Sequence, residues 1–402
     1  MRALLRIRDA RVFLLGWGLS MLGDTAMYLV LGIWAKDLTD SNAAAGLVFF
    51  VLVLPQLFSP FFGLVVDRVR KRPLLIGTNA ALAAVILLLL LVHDRGDIWL
   101  IYVVAALYGT GNAILYSARS AFLVIMLPRD LLADANAAFA TLREGLRLIS
   151  PLVGAGLYAA FGGDVVAVAD ALTFSAVVVA LLLVRTPEER PEQEEHRFLT
   201  ELAAGVRHIF ATLPLKQIVL TTGACILFVG FSETLIFAVV DSGLHRSPAF
   251  IGVLEALQGA GAIAGGVTAA RALRRFGDVR LVGIGMALFA LGDATFASSS
   301  LLLVSIGIFV AGFAIAWFIV GYATAIQVRT PQRLQGRVAS AAGTIIGAPQ
   351  TIGIALGAGL VSVVDYRALV AVMALAIAAC GAYLLTRGPE PVAAEEPATV
   401  SV

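Results

Sequence analysis

GLVVDRVRKR, from Gly63 to Arg72, and GVTAARALRR, from Gly266 to Arg275, stand 203 residues apart and share their first Gly, an internal Arg and a closing basic pair. At the same offset VGAGL, Val153–Leu157, meets LGAGL, Leu356–Leu360. A repeated pattern at one offset marks two copies of a structural unit in one chain, here running in the same direction and related by an axis along the membrane normal. Asp67 of the first copy becomes Ala270 in the second, so the copies are not chemically equivalent.

Outward from these stretches the chain is a succession of apolar runs. About 20 mainly apolar residues span a bilayer, and twelve such spans are expected at 12–35, 43–66, 73–93, 97–118, 137–161, 164–184, 217–240, 249–270, 279–297, 299–326, 339–363 and 366–386. Composition requires the same solvent. Of 402 residues 60% are hydrophobic and 14% charged, and the mean hydropathy is +0.93. A water-soluble chain of that composition would expose large apolar patches and aggregate. The expected fold is therefore an all-α integral membrane protein: two pseudo-symmetric six-helix bundles, residues 1–186 and 215–388. Residues 187–214 form a linker, in which Phe198, Leu202, Val206 and Ile209 or Phe210 repeat at the spacing of a short amphipathic helix. The Pro/Ala/Glu-rich tail, 389–402, reads as disordered.

Lys and Arg between spans mark the cytoplasmic side. With the N-terminus inside, 23 fall in cytoplasmic segments and four (Lys36, Arg95, Arg246, Arg367) outside, with Arg143 and Arg147 left in the fifth span. Both termini are thus expected in the cytoplasm of a multi-pass cell-membrane protein. The formal charge of +2 and the absence of a basic, aromatic-interleaved soluble face argue against a nucleic-acid partner. No P-loop, nucleophile elbow or His/Cys cluster appears, so no enzyme activity, cofactor or metal is expected. Cys225 and Cys380 lie in apolar runs and read as packed thiols.

Charges inside spans cost roughly 2.5–3.5 kcal/mol each on insertion scales, so they default to paired or functional roles. Asp24, near the centre of the first span, is the leading candidate for a proton- or cation-coupling residue, with a carboxylate tied up by a helix neighbour as the alternative. Glu233 in the seventh span is the second candidate. Asp170 in the sixth is assigned a structural role. Glu144 and Arg147, three apart on one face, are expected to form a structural ion pair. Glu255, Gln258 and Asp293 are expected near the outer surface, in reach of solvent.

Gly63, Asp67, Arg68, Lys71 and Arg72 fit the Gly-x-x-x-Asp-Arg-x-Gly-Arg-Lys loop of the major facilitator superfamily, with Arg70 where a Gly is usual. SARSAFLVIMLPRDLLADANA (Ser117–Ala137), ISPLVGAG (Ile149–Gly156), DALTF from Asp170 and QGRVASAAG (Gln335–Gly343) resemble its macrolide-efflux and siderophore-exporter branch. The resemblance implies a cytoplasmic gate in which Asp67, with the basic loop residues, holds the start of the eleventh helix at Gly336 and Arg337 when the protein is outward-open. Gly63 would there let helices approach closely. Pro151 and Gly154 resemble the kinked fifth helix of antiporters, with Ser150 replacing a Gly. The Arg those families carry in the fourth helix is absent before Gly109.

Spans one, four, seven and ten line the pathway in the resembled fold, which places Tyr28, Asn112, Tyr116, Phe237, Trp317 and Tyr322 beside Asp24 and Glu233. Aromatic rings with a few polar and acidic groups suit a bulky amphipathic or cationic solute. The resulting expectation is a monomeric secondary transporter, exporting amphipathic drugs or related compounds by alternating access with protons as coupling ion. The alternatives are a dedicated siderophore-like metabolite exporter, a lipid flippase or, in a different class, a membrane receptor or scaffold that moves no solute.

Overall fold

The computed structural model describes residues 4–128, 131–188, 198–331 and 334–387, apart from the side chains of a few helical residues, Asp67 and Glu144 among them. The tail at 389–402 lies outside the described residues. In hydrocarbon no water satisfies the backbone, so each crossing must satisfy its own N–H and C=O groups, and the described residues are helical throughout the spans.

The first half comprises α1 (Arg8–Thr39), α2 (Asn42–Val53), α3 (Ser59–Arg68), α4 (Lys71–Leu87), α5 (Ile98–Met126), α6 (Leu132–Phe161) and α7 (Gly163–Leu183). A separate helix, α8 (Phe198–Ala211), follows. The second half comprises α9 (Leu213–Ala238), α10 (Ile251–Phe276), α11 (Asp278–Ala294), α12 (Leu301–Arg329), α13 (Gln335–Leu360) and α14 (Tyr366–Thr386). Ten helical segments among the described residues are long and apolar enough to cross a membrane, and two further crossings carry shorter apolar stretches, Asn42–Phe58 and Gly145–Phe161. Together they make the twelve crossings.

Three elements depart from the sequence expectation. The second span is not one rod: the 3-10 turn Leu54–Phe58 separates α2 from α3, because Pro55 and Pro60 each lack the N–H a continuous helix needs. The fifth span begins at Leu132, with its polar first half followed by the apolar Gly145–Phe161. The fourth span does not stop at Ala118 but continues to Met126, which places Arg119 inside the helix rather than in a loop. Its guanidinium lies 5.6, 5.5 and 5.0 Å from the ring centroids of Trp17, Tyr116 and Phe139. These ring faces replace the water the charge would otherwise need.

The same packing relations occur in both halves. In the first, α1 packs on α6 and α7, α2 on α5, and α4 on α5 and α7. In the second, α9 packs on α13 and α14, α10 on α12, and α11 on α12 and α14. With no hydrophobic force between helices in lipid, small residues decide which backbones approach. Gly353 of α13 lies directly against the Leu227 carbonyl of α9, and Gly230 answers it 2.7 Å from the Gln350 carbonyl, both measured from the position a Cβ would take.

The loops rich in Arg, including Arg68–Arg72 and Arg271–Arg280, lie at one end of the helices, here the basic face. Across the two halves the close contacts sit toward the other end. Gly252, at the start of α10, abuts the Pro151 carbonyl and Ala155 of α6. Gly46 of α2 abuts Thr234 of α9. Phe237 of α9 packs at a tilt against Phe49 of α2, with centroids 5.8 Å apart. Toward the basic face Gly63, Gly145, Gly336 and Gly343 have no neighbour within 4 Å of a would-be Cβ. The close approach expected at Gly63 is therefore not made: a Cβ there would meet open space. Helix α8 covers α13 on the second half, with Gly205 on the Arg337 carbonyl and Ile209 buried among Leu215, Val338 and Ala341.

Replacing Gly353 by Leu drives carbons into the Leu227 carbonyl and should cost about 1–3 kcal/mol, the usual range for overpacking. A lower melting temperature of the purified protein in detergent checks this, and the same change at Gly343, which faces open space, should leave melting unchanged.

Candidate functional site

Two groups of polar side chains interrupt the apolar interior, one held wholly by the first half and one between the halves. In the first, Asp24 sits on α1 one turn beyond Ser20, so both lie on one face. Tyr108 of α5 lies 2.8 Å from Asp24 Oδ1, and its hydroxyl donates there. Ser20 Oγ lies 3.4 Å from Asp24 Oδ2. Asn112 stands one turn past Tyr108 on the same face of α5. Arg119 acts on Asp24 through its charge from two turns further along α5. Asp170 of α7, only 1% exposed, stands 3.3 Å from the Tyr108 hydroxyl on its far side. Asp170, expected to be structural and outside the pathway, thus shares a phenol with Asp24.

In the second group Glu233 of α9 and Tyr28 of α1 stand close enough across the halves to act on one another. Glu255 of α10 and Arg147 of α6 act on Glu233 electrostatically, and Arg147 acts on Glu255 as well. Glu255 is therefore part of an inter-half cluster and not a solvated surface group. Arg147 was expected to pair with Glu144 on its own helix; the Glu144 side chain lies outside the described residues, and Arg147 faces carboxylates of the other half. Asp293, also expected to be solvated, is 1% exposed, because α11 is wedged between α12 and α14. Its Oδ2 has no partner among the described residues.

The remaining candidates separate. Tyr116 is 64% exposed beside Arg119. Tyr28 packs at a tilt against Phe49, with centroids 4.9 Å apart. Phe237, expected on a cavity wall, is 1% exposed and packs into the closed end between Phe49 and Gly32. Trp317 donates to Thr268 Oγ1 at 2.9 Å and packs at a tilt against Phe313 at 5.1 Å, within the second half. Tyr322 packs on Phe318 at 6.1 Å. Pro151 stays within continuous α6, and Gly154 lies on Ala26 of α1.

At the basic face the Asp67 side chain lies outside the described residues. Lys71 and Arg72 bind the end of α7 and the start of the linker. Arg72 donates from Nε to the Leu181 carbonyl at 2.9 Å and from Nη2 to the Leu182 carbonyl at 3.1 Å, a cation on the negative end of α7. The first amides of α4, Lys71 and Arg72, donate to the Glu188 carboxylate. Lys71 Nζ donates to the Val69 carbonyl at 3.0 Å. Arg68, Gly336 and Arg337 are exposed. In the second half Asp278, opening α11, forms a bidentate pair with Arg329 at the end of α12.

At the far end a buried lysine ties the halves together. Lys36 Nζ of α1 lies 2.9 Å from Asp241 Oδ2, just past α9, and 3.0 Å from Asp40 Oδ1. Tyr108 was not singled out from the sequence, and Arg119, Lys36 and Glu255 were read only as loop or surface charges. For Tyr108 a signal existed, since it stands one helical turn before Asn112.

Residues 7–388 match the transmembrane secretion effector family, MFS_3, and the chain belongs to that family of major facilitator transporters. It is 23% identical over 357 residues to macrolide efflux protein A of Streptococcus pyogenes, covering 85% of this chain and 87% of that one. The protein of the same name from Enterococcus faecalis is 24% identical over 310 residues, 74% of this chain and 94% of that one. In fold the chain is similar to a bacterial homologue of the iron transporter ferroportin in an inward-facing state, with a TM-score of 0.73, 14% identity, and coverage of 94% of this chain and 98% of that one. It is also similar to the POT family transporter PepTSo, with a TM-score of 0.71, 12% identity, and coverage of 94% and 97%.

Lys36→Met leaves Asp241 facing α1 without its cation. A cysteine at Thr234, buried in the contact with Gly46, should then react faster with a membrane-impermeant maleimide than the same cysteine in the parent protein, and Asp241→Asn should produce the same acceleration.

Proposed function

We propose that this transporter exports bulky amphipathic compounds, cationic ones above all, in exchange for protons. The observation that carries this reading is that each half holds a carboxylate on the first helix of its bundle, Asp24 near the middle of α1 and Glu233 in the outer portion of α9, with the Tyr108 hydroxyl donating to Asp24 and Tyr28 beside Glu233. A carboxylate enclosed in this way can hold a cation or a proton but gains little from holding both. Exchange of one for the other follows from that competition. Exposed Tyr116 and the neighbouring Asn112 supply an aromatic and polar wall of the kind that suits an amphipathic cation. The two macrolide efflux relatives, matched over most of their length, support export as the direction and a large amphipathic amine as a substrate.

The excess of Lys and Arg at the basic face supports placing it, and both termini, in the cytoplasm. The open space beside Gly63, Gly145 and Gly336 supports reading this as an inward-open state, with the Lys36–Asp241 pair and the Phe49–Phe237 ring contact on the outer side. Alternating access would release those contacts as the halves, residues 1–186 and 215–388, rock about the linker 187–214. On the inner side Asp67, with Arg68, Lys71 and Arg72, would then meet α13 at Gly336 and Arg337.

The test is flux into proteoliposomes holding the purified protein, with a dimethylamino macrolide and a lipophilic dye cation as probes under an imposed pH gradient. Wild type should accumulate both, and Asp24→Asn should only equilibrate them. Accumulation by the variant at the wild-type level excludes Asp24 as the coupling site, and an absence of any protein-dependent flux favours a receptor or scaffold.

A further inference from the structure

Hydrogen-bond accounting around Tyr108 leaves one proton unassigned. A phenol has one hydrogen, and the Tyr108 hydroxyl has two carboxylates against it: Asp24 Oδ1 at 2.8 Å and Asp170 Oδ2 at 3.3 Å. The shorter contact takes the hydrogen. On the other side of Asp170, Thr173 Oγ1 stands 3.2 Å from Oδ1. Its single hydrogen has a nearer acceptor as well, the Asp170 backbone carbonyl at 2.8 Å. Asp24 therefore receives Tyr108 and Ser20 and has the charge of Arg119 nearby. Asp170, more deeply enclosed, receives no committed donor. An ionised carboxylate in that position would be buried without a partner, the most expensive arrangement available. A neutral carboxylic acid resolves the geometry, since its own O–H donates to the Tyr108 oxygen and turns the 3.3 Å contact between two acceptors into a hydrogen bond.

We propose that Asp170 is a proton store behind Asp24 and that Tyr108 is the relay between them. The chain reads Asp170 O–H to Tyr108 O–H to Asp24 carboxylate. In transfer the Asp170 Oδ2–H bond breaks as its proton joins the phenol oxygen, while the original phenol hydrogen leaves for Asp24 Oδ1. Two hydrogens shift for a net transfer of one proton from Asp170 to Asp24, Tyr108 is neutral before and after, and no other reactant is needed. The reverse step reloads Asp170. The titratable and charged groups that bear on this unit among the described residues are Asp24 from α1, Tyr108 and Arg119 from α5, and Asp170 from α7, with Tyr116 and Arg143 acting on Arg119. Gly23 is part of the arrangement: its missing side chain is what admits the Asp170 carboxylate and Thr173 against α1.

This deepens the proton-exchange reading, in that it names where the proton rests, and it is tested without any transported compound. Infrared spectra of the full chain in liposomes at neutral pH report protonated carboxyls through their C=O stretch. Asp170→Asn should lose one such component and Asp24→Asn should keep it. Tyr108→Phe should keep the component, move it to higher frequency because the acceptor is gone, and slow its isotope shift on transfer to D2O. The assignment is overturned if Asp170→Asn leaves the bands unchanged, if Asp24→Asn removes the component, or if Tyr108→Phe exchanges at the wild-type rate. Should Asp170→Asn fail to fold, the Tyr108→Phe frequency and exchange rate decide alone. A protein that passes this test and moves no macrolide or dye separates the proton store from the export reading.

Discussion

Placing charge inside a hydrocarbon slab is the constraint on which this architecture depends. An ion within the slab or at its edges must be neutralised, paired or enclosed by dipoles, and the structure pairs some and encloses others. Arg119 is enclosed by three aromatic rings. Lys36 is paired across the halves with Asp241. Asp278 and Arg329 pair within one half. Asp24 and Asp170 share a phenol. These polar groups lie on the faces where helices meet, so the pairing of charge and the pairing of helices are one problem with one solution.

Helix association supplies the other part of that solution. Lipid tails are as apolar as leucine, so burying leucine against leucine gives no advantage over leaving it in the bilayer. What differs between arrangements is how closely backbones can approach and which polar groups find partners. Glycines on α9, α10 and α13 set the first, within the second half and across to α6. Contacts of this kind between the halves bury little that hydrocarbon could not solvate, and they are compatible with an interface that opens and closes.

The chemistry follows from how the two constraints intersect. The contact of α1 with α7 brings Gly23 against Asp170, and the contact of α1 with α5 brings Tyr108 to Asp24. Two acidic groups 146 residues apart in sequence are thereby joined by one hydroxyl. In the other cluster, the meeting of α1, α6, α9 and α10 gathers Tyr28, Arg147, Glu233 and Glu255 at the boundary between halves, where relative motion of the halves must change the distances among them.

The sequence by itself determined the solvent, the helical class, the twelve crossings and the repeat, because span length, composition and charge between spans are local quantities that any one segment reveals. It also pointed to Asp24 and Glu233, since an isolated acidic residue inside an apolar run is visible without knowing its neighbours. Only the tertiary structure decided what those acids touch. Asp170 looked structural, Glu255 and Asp293 looked solvated, Arg119 looked like a loop residue and Phe237 looked like a cavity wall. Each assignment depends on which face of a helix meets which neighbour, and on whether the two halves are open or closed at that depth. Rotation of a helix about its axis leaves its hydropathy unchanged when lipid and protein interior are equally apolar, so the pattern of residues carries little record of it; the packed glycines and shared hydrogen bonds fix it instead.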